Sequence, residues 1–201
     1  SGPEMLGKII KSKKVIAVSG THGKTTVSAM TASILQSKYG DVGYLIGGVL
    51  GDGSWSARLG SNEYFIVEAD EYDSAFFDKR SKFIHYFPNI LAINNIEFDH
   101  ADIFDDLTPI LKQFSHLLRT IPANGQVVFH ENDQTTKHLV DKENWFDVYS
   151  IGNDKQFYYD ETKNFFIFNG KEYDLDELPF FGEHNYKNAL MAMCLAYLCN
   201  C

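Results

Sequence analysis

The sequence has few cysteines, no long apolar run and a shortage of basic side chains. Its three cysteines, Cys194, Cys199 and Cys201, crowd the C-terminal end. They are too few and too clustered for a disulfide framework, and no Cys or His spacing is typical of a zinc site. No apolar stretch approaches the length of a membrane span, and no signal-peptide pattern opens the chain. We therefore expect a cytoplasmic protein with reduced thiols and no membrane partner.

The charge balance limits the partners further. The 201 residues include 18 Lys and Arg against 27 Asp and Glu, which gives a formal net charge of −9. No cluster of basic residues offsets this charge, so we expect no nucleic-acid partner. An acidic protein that binds phosphate groups has to do so with local dipoles and a metal ion. The length is enough for one sizeable α/β domain.

Short apolar runs alternate with helical patterns through the first two thirds of the chain. The predicted strands are Val15–Val18, Val42–Ile46, Glu63–Val67, Ile90–Asn94 and Val127–Phe129. Helical spacing of apolar residues follows the first strand up to about Lys38 and recurs from Leu107 to Leu118. This alternation predicts an α/β fold, with a mostly parallel sheet flanked by helices on both faces.

The last third of the chain changes character. Aromatic runs at 157–159, 165–168 and 171–173 are separated by polar turns, one of them the two-residue turn Asn169-Gly170. An Asn-Gly turn between such runs is a strong hairpin signal. We therefore predict a small antiparallel β appendage, followed by a closing helix from about Asn185 to Leu198.

The connection after the first strand is the most informative segment. The strand Val15–Val18 breaks at a glycine-rich turn with Gly20 and Gly23, and a helix follows Lys24 and Thr25. Glycines let backbone N–H groups close around phosphate oxygens, and the helix N-terminus adds its positive end. Lysine can reach the β- and γ-phosphates, and the threonine hydroxyl can bind Mg²⁺. The segment therefore predicts a phosphate-binding loop.

One position departs from the common spacing G-x-x-x-x-G-K-[ST] of such loops. The residue five before Gly23 is Val18 rather than glycine. An ordinary glycine-rich turn between strand and helix is the alternative interpretation.

Carboxylates follow the strand Glu63–Val67. They are Glu68, Asp70, Glu71 and Asp73. Because ligands of doubly wound sheets bind beyond the carboxyl ends of the strands, this cluster is expected on the same rim as the phosphate loop. Carboxylate oxygen suits Mg²⁺, and Glu68 is the main candidate ligand. Solvated caps or turn formers are the alternative.

A second polar cluster, Asp99, His100 and Asp102, follows the strand Ile90–Asn94. His100 could help to hold a metal ion, although on chemistry alone the carboxylates rank above it. A structural hydrogen-bonding histidine and an acidic loop that caps the next helix are the alternatives.

A third cluster opens the last helix. Asn185 and Asn188 lie three residues apart and share one helix face. A carboxamide offers a donor and an acceptor together, which suits the edge of an adenine, and His184 could stack on the base. Taken alone, Asn185 could equally be an N-cap.

Four segments together resemble the Mur ligases, the ATP-dependent amide-forming enzymes of bacterial peptidoglycan metabolism. They are Gly20-Thr-His-Gly-Lys-Thr25, Val67-Glu-Ala-Asp-Glu71, Asn95-Ile-Glu-Phe-Asp-His100 and Gly182-Glu-His-Asn-Tyr-Lys-Asn188. The resemblance implies an enzyme of three domains, of which residues 1–201 would be the central ATP-binding domain. Flanking UDP-binding and C-terminal domains are then expected outside this segment, and the isolated segment is expected to be inactive.

The resemblance also implies roles for individual residues. Lys24, Glu68 and His100 match catalytic positions, and Thr25, Glu68 and His100 match Mg²⁺ ligands. The implied ATP-binding residues are Gly20, Thr21, His22, Gly23, Lys24, Thr25, Thr26, His184, Asn185 and Asn188. Many members carry a carbamoylated lysine about fifteen residues after the histidine motif, where this chain has Ser115 and His116.

Within the family, His22 resembles the muramate-binding branch, and the segments 71–81 and 98–107 resemble a peptide-recycling group of that branch. The members of this group join UDP-N-acetylmuramate to the murein tripeptide L-alanyl-γ-D-glutamyl-meso-diaminopimelate through an acyl phosphate. The first alternative is a UDP-N-acetylmuramate–L-alanine ligase. Non-ligase alternatives are a nucleotide-binding switch and an interaction domain in which Gly-Lys-Thr is incidental. A pure phosphate binder does not need the acidic and histidine clusters, which favours an enzyme.

Overall fold

A computed structural model describes residues 1–48, 53, 55–75, 78–97, 107–143, 145–152, 156–160 and 162–201. The helices are α1 (Gly2–Ile9), α2 (Lys24–Tyr39), α3 (Leu107–Leu118), α4 (Gln134–Asp141) and α5 (Glu183–Leu198), with short 3-10 helices at Lys82–His85 and Leu175–Glu177. The strands are β1 (Lys14–Ser19), β2 (Gly43–Leu45), β3 (Ala57–Arg58), β4 (Tyr64–Glu68), β5 (Asp73–Ala75), β6 (Asp78–Ser81), β7 (Ile90–Ile93), β8 (Gln126–His130), β9 (Asp147–Ile151), β10 (Phe157–Asp160), β11 (Phe165–Phe168) and β12 (Lys171–Asp174).

The main sheet has seven strands in the order β3-β2-β4-β1-β7-β8-β9. All neighbouring pairs from β2 to β9 are parallel, and the edge strand β3 runs antiparallel to β2. The strand β1 lies in the middle, with Val18 opposite Glu68 of β4 and Ser19 opposite Ile93 of β7. The predicted mostly parallel α/β sheet is confirmed.

The central strand β1 is apolar from Val15 to Val18 because both of its faces are covered. Ile16 and Val18 belong to one hydrophobic core, whereas Val15 and Ala17 belong to a second core on the opposite face. Alternate side chains of a strand point to opposite faces, so four consecutive apolar residues supply both layers.

Helices cover the two faces as predicted. Apolar side chains of α2 and α5 fill the first core, and α2 packs directly against α5. Side chains of α3 and α4 fill the second core, together with Ile10 just after α1. Each central strand therefore lies between two helical layers, and its carboxyl end opens onto one rim.

The antiparallel appendage also forms as predicted. Strands β10, β11 and β12 make a three-stranded antiparallel sheet. Asn169 and Gly170 have φ of 50° and 75°, the left-handed pair that a tight Asn-Gly hairpin turn requires. The appendage packs on α5 through edge contacts of Phe157 and Phe168 with the Tyr197 ring.

Several elements have no counterpart among the sequence predictions: α1, α4, β3, β9 and the β5–β6 hairpin. None of the α1 residues is buried, and the β9 burial pattern is mostly exposed or intermediate. Weak burial leaves a weak periodic signal, which explains the omissions. Across the described ranges, no helix combines the length and apolar character needed to cross a membrane.

Candidate functional site

The glycine-rich loop lies at the centre of the sheet's carboxyl rim, between β1 and α2. Gly20 has φ of 131°, and a Cβ added to it would lie 2.9 Å from the backbone nitrogen and oxygen of Asn95. Gly23 has φ of 80° and directly precedes the helix. Only glycine adopts such backbone conformations without strain, so the two glycines bring the loop against the segment that follows β7.

The segment that follows β7 holds the first part of the loop in place through hydrogen bonds. The N–H of Thr21 donates to the Asn95 carbonyl at 3.0 Å, and the N–H of His22 donates to Asn95 Oδ1 at 2.8 Å. The Thr21 hydroxyl and the Glu97 backbone exchange two further hydrogen bonds. These loop N–H groups are therefore already bonded within the protein.

The start of α2 is built differently. Its N-cap is Gly23, which has no side chain to bond the N–H groups of the first turn. The first turn carries Lys24, exposed Thr25 and partly buried Thr26. Uncapped N–H groups and the positive end of the helix dipole together form an anion-binding site.

The Lys24 side chain folds back over this loop. Its Nζ donates to the Gly20 carbonyl at 2.7 Å and lies 3.6 Å from Asp70 Oδ1 and 3.9 Å from Glu71 Oε2. Glu71 is almost fully buried, with 4% of its side chain exposed. The acidic segment after β4 thus lies on the same rim as the loop, as expected from the sequence, and holds the Lys24 ammonium group there.

Glu68, the last residue of β4, lies beside the start of α2. A Cβ added to Gly47 would lie 2.7 Å from Glu68 Oε2, and one added to Gly48 would lie 2.9 Å from Thr25 Cγ2. The turn after β2 therefore contacts both predicted metal ligands, Thr25 and Glu68. Glu68 Oε1 is buried and has no hydrogen-bond partner among the described residues. A buried carboxylate oxygen without a donor needs a proton or a cation.

The described residues fit Mg²⁺ as a partner for that oxygen, because carboxylate and hydroxyl oxygens are hard ligands. Among those same residues, no group of three His, Cys, Asp or Glu side chains forms an all-protein metal cage. Mg²⁺ commonly keeps water and phosphate oxygens as its remaining ligands, so one or two protein ligands are sufficient.

A cavity of about 830 Å³ opens on the opposite side of the loop. Its walls come from the loop itself, the segment after β7, the end of β8, the start of α4 and the first turns of α5. The lining residues are His22, Gly23, Asn94, Asn95, Ile96, Glu97, His130, Asn132, Asp133, Gln134, Thr135, His184, Lys187 and Asn188. The volume suits a nucleotide-sized ligand with its phosphates at α2.

A buried polar network forms one wall of this cavity. Asn94 Nδ2 donates to the His22 carbonyl at 2.9 Å and to Asn188 Oδ1 at 3.0 Å, and Asn94 Oδ1 lies 3.2 Å from His130 Nε2. Burial lowers the pKa of His130 from 6.5 to about 4, and nearby Lys187 adds to the effect. The imidazole is therefore neutral at pH 7.

The structure separates the two predicted asparagines of α5. Asn188 and exposed His184 line the cavity. The Asn185 side chain instead donates to the Phe181 carbonyl at 2.8 Å. The alternative of an N-cap role for Asn185 is wrong, because the N-cap of α5 is Gly182.

The predicted ligand His100 lies outside the described residues, as do Asp99 and Asp102. The sequence predictions missed Asn94 and His130 as cavity residues. Asn94 directly follows β7, and His130 is the last residue of β8. Both therefore lie at the same rim as Glu68, the last residue of β4. The available signal was the position of a polar residue at the end of a buried apolar run.

The comparisons with known proteins agree with this architecture. The family model described as the Mur ligase middle domain matches residues 18–196. A UDP-N-acetylmuramate–L-alanyl-γ-D-glutamyl-meso-2,6-diaminoheptandioate ligase of Haemophilus influenzae is 45% identical over 203 residues, which cover 98% of this chain and 45% of that protein. A UDP-N-acetylmuramate–L-alanine ligase of Clostridium perfringens is 34% identical, over 98% of this chain and 44% of its own length.

A solved structure gives the same result. The UDP-N-acetylmuramate:L-alanyl-γ-D-glutamyl-meso-diaminopimelate ligase of Neisseria meningitidis superposes with a TM-score of 0.87 at 38% identity, over 98% of this chain and 65% of that one. The chain spans less than half the length of the two sequence relatives. By the match of residues 18–196 to its middle domain, the chain belongs to the Mur ligase family.

Proposed function

We propose that this chain is the ATP-binding domain of an ATP-dependent ligase that joins UDP-N-acetylmuramate to L-alanyl-γ-D-glutamyl-meso-diaminopimelate. The observation that carries the proposal is the uncapped start of α2. There, Lys24 lies at the loop and Glu68 has a buried oxygen without a partner, next to the cavity of about 830 Å³. Phosphates at the helix start and a nucleoside in the cavity fit this layout.

The choice of the amine substrate rests on relatives. The Haemophilus influenzae protein named for the tripeptide derivative is 45% identical, whereas the Clostridium perfringens protein named for L-alanine is 34% identical. Both cover 98% of this chain, so the two identities compare like with like. The L-alanine ligase is the second candidate.

The chemistry divides into two displacements. A carboxylate oxygen of the muramoyl group attacks the γ-phosphorus of ATP, and the bond to the ADP oxygen breaks. The amine nitrogen of the peptide then attacks the acyl carbon, phosphate leaves, and the nitrogen loses a proton to give the amide. Catalysis of phosphoryl transfer consists mainly of positioning and charge stabilisation.

The residues of this chain would supply those two effects. The first-turn N–H groups of α2 would hold phosphate oxygens, and Lys24 would exchange its contact with the Gly20 carbonyl for the β- and γ-phosphates. Thr25 and Glu68 would hold Mg²⁺, which when bound neutralises phosphate charge. Asn188 and His184 would contact the base.

The amine specificity can be tested with the longer protein that carries this segment. Turnover of UDP-N-acetylmuramate and Mg-ATP should be faster with the tripeptide than with L-alanine at equal concentrations. The UDP-linked products are separated by mass, and a reaction without ATP is the control. Faster turnover with L-alanine would assign the chain to the second candidate.

A further inference from the structure

The buried network around Asn94 allows one set of amide orientations. The His22 carbonyl can accept hydrogen bonds and cannot donate them, so the group facing it at 2.9 Å must be the Asn94 nitrogen. That nitrogen is a donor, so Asn188 must turn its oxygen toward it across the 3.0 Å contact. A single backbone carbonyl therefore sets the orientation of two side-chain amides.

The same constraint reaches His130. With the nitrogen of Asn94 facing His22, its oxygen faces His130 Nε2 at 3.2 Å. An oxygen acceptor requires a proton on Nε2, which selects the Nε2–H tautomer of the neutral ring. Asn94 is then fully bonded, with two donors used and its oxygen occupied. We call this chain of hydrogen bonds the relay: it runs from His130 at the end of β8, through Asn94 just after β7, to Asn188 in α5.

These orientations leave the Asn188 side-chain nitrogen facing the cavity as a hydrogen-bond donor. With Asn188 Oδ1 turned toward Asn94, the nitrogen of Asn188 remains for the cavity that this residue lines. Among the described residues, the side chain of Asn188 makes its hydrogen bond through Oδ1, and Nδ2 has no acceptor. Gly23 leaves the room for this arrangement, since an added Cβ would lie 2.4 Å from Asn94 Nδ2 and 2.6 Å from Asn188 Oδ1.

We propose that His130 is a positioning residue that acts through Asn94 to hold the Asn188 carboxamide with its nitrogen toward the cavity. There the nitrogen serves as a hydrogen-bond donor to a ring nitrogen of a purine base. The base assignment rests on the proposed function. The relay acts on the base end of the nucleotide, whereas Lys24 and the first turn of α2 act on its phosphates.

The first test uses no nucleotide. Long-range ¹H–¹⁵N correlation at pH 7 distinguishes the two tautomers of a neutral imidazole. The proposal expects a proton on Nε2 of His130 and none on Nδ1. A proton on Nδ1 would overturn the relay, whatever the protein binds.

The second test measures binding by calorimetric titration of ATP with Mg²⁺. His130→Leu removes the donor to Asn94 and should weaken ATP binding by roughly threefold to tenfold, the effect of one neutral hydrogen bond. His130→Gln keeps an N–H at nearly the Nε2 position and should restore most of the affinity. Tripolyphosphate, which has no base, should bind all three proteins equally.

A double-mutant cycle separates indirect action from direct contact. His130 and Asn188 both bond Asn94, so Asn188→Ala should cost less affinity in the His130→Leu background than in the wild type. Additive effects would overturn the inference, and so would equal ATP affinity of His130→Leu and wild type. Failure of the wild type to bind ATP would overturn the proposed function instead, and the tautomer would still decide the relay.

Discussion

At the scale of single residues, the position of Gly23 sets two requirements that only the amino acid glycine meets. Its φ of 80° lies in the left-handed region, and the amides of Asn94 and Asn188 occupy the space of its missing side chain. Gly40, at the other end of α2, has a similar φ of 77° but nothing within 4 Å of an added Cβ. Gly40 has a ψ of −124° against −3° for Gly23, so the two positions share a positive φ and differ in the amides that surround only Gly23.

We therefore predict that Gly23→Ala destabilises the fold by roughly 2–4 kcal/mol through strain and steric contact, whereas Gly40→Ala costs roughly 1–3 kcal/mol through backbone strain alone. Only the first variant should also lose ATP affinity, because it displaces the two amides at the cavity. Urea unfolding and titration of both variants measure the two effects. Equal ATP affinity of the two variants would contradict the close packing of the Asn94 and Asn188 amides at Gly23.

His130 predicts a pH dependence of stability. Its pKa is about 4 in the folded protein, below the ordinary 6.5 of the unfolded chain, because burial disfavours the charged ring. Below pH 6.5 the unfolded state binds the proton first, so this contribution to stability is present above pH 6.5 and is lost as pH falls toward 4. The loss amounts to at most roughly 3 kcal/mol.

His130→Gln should therefore flatten the decline in unfolding free energy between pH 6.5 and 4. His138→Gln, which replaces an exposed histidine of α4, is the matched control and should follow the wild type. Urea unfolding at intervals across this range measures the curves. Parallel curves for His130→Gln and wild type would refute the buried neutral histidine.

At the scale of elements, two tyrosines tie the C-terminal end of α5 to its neighbours, one from α2 and one from β4. The hydroxyls of Tyr39 and Tyr64 donate to the Cys199 carbonyl at 2.6 Å and 3.1 Å. Burial raises the pKa of Tyr64 to about 12, so its hydroxyl stays protonated as a donor at neutral pH. These bonds fix the helix that carries His184 and Asn188 at its other end.

Tyr39→Phe and Tyr64→Phe should each lower the free energy of unfolding by roughly 1 kcal/mol, the typical net effect of one hydrogen bond. Tyr197→Phe keeps the ring contacts with the appendage and should change stability by less than about 0.5 kcal/mol. Thermal and urea unfolding provide the measurement. A similar loss of unfolding free energy in all three variants would mean that the hydrogen bonds to the Cys199 carbonyl do not stabilise the fold.

The elements that could be predicted from the sequence are those with a complete buried pattern. Strand β1 has four consecutive apolar residues because two helical layers cover it, and the turn at Asn169 requires its residue types. By contrast, α4 buries only Thr136, Leu139 and Val140 of its eight residues. Lys24 and Glu68 were predicted as site residues because motif residues follow strands. His130 also ends a buried strand, but its contact with Asn94 depends on packing between strands, which the local sequence does not show.

At the scale of the whole molecule, the chain matches one domain of relatives more than twice its length. The described residues supply the phosphate, metal and base contacts that we propose. Amide formation also needs the muramoyl carboxylate and the amine within reacting distance of the phosphate, and small displacements reduce the rate by large factors.

We predict that residues 1–201 alone bind Mg-ATP but form no amide from UDP-N-acetylmuramate and the tripeptide. Mass spectrometry after long incubation detects the UDP-muramoyl product with high sensitivity. The longer protein, assayed in parallel, is the positive control. Product formed by the 201-residue chain at a comparable rate would place the substrate sites within it.

The central claim, a nucleotide site at the start of α2, is tested most directly by calorimetric titration of the chain with Mg-ATP. Lys24→Ala removes the ammonium group at the loop and should weaken binding roughly tenfold to a hundredfold, the value of a charge-assisted contact. Lys38→Ala removes the same charge from the last turn of the same helix and should bind as the wild type does. Saturable binding by the wild type that falls only in Lys24→Ala is the predicted result, and equal affinities of the three proteins would contradict it.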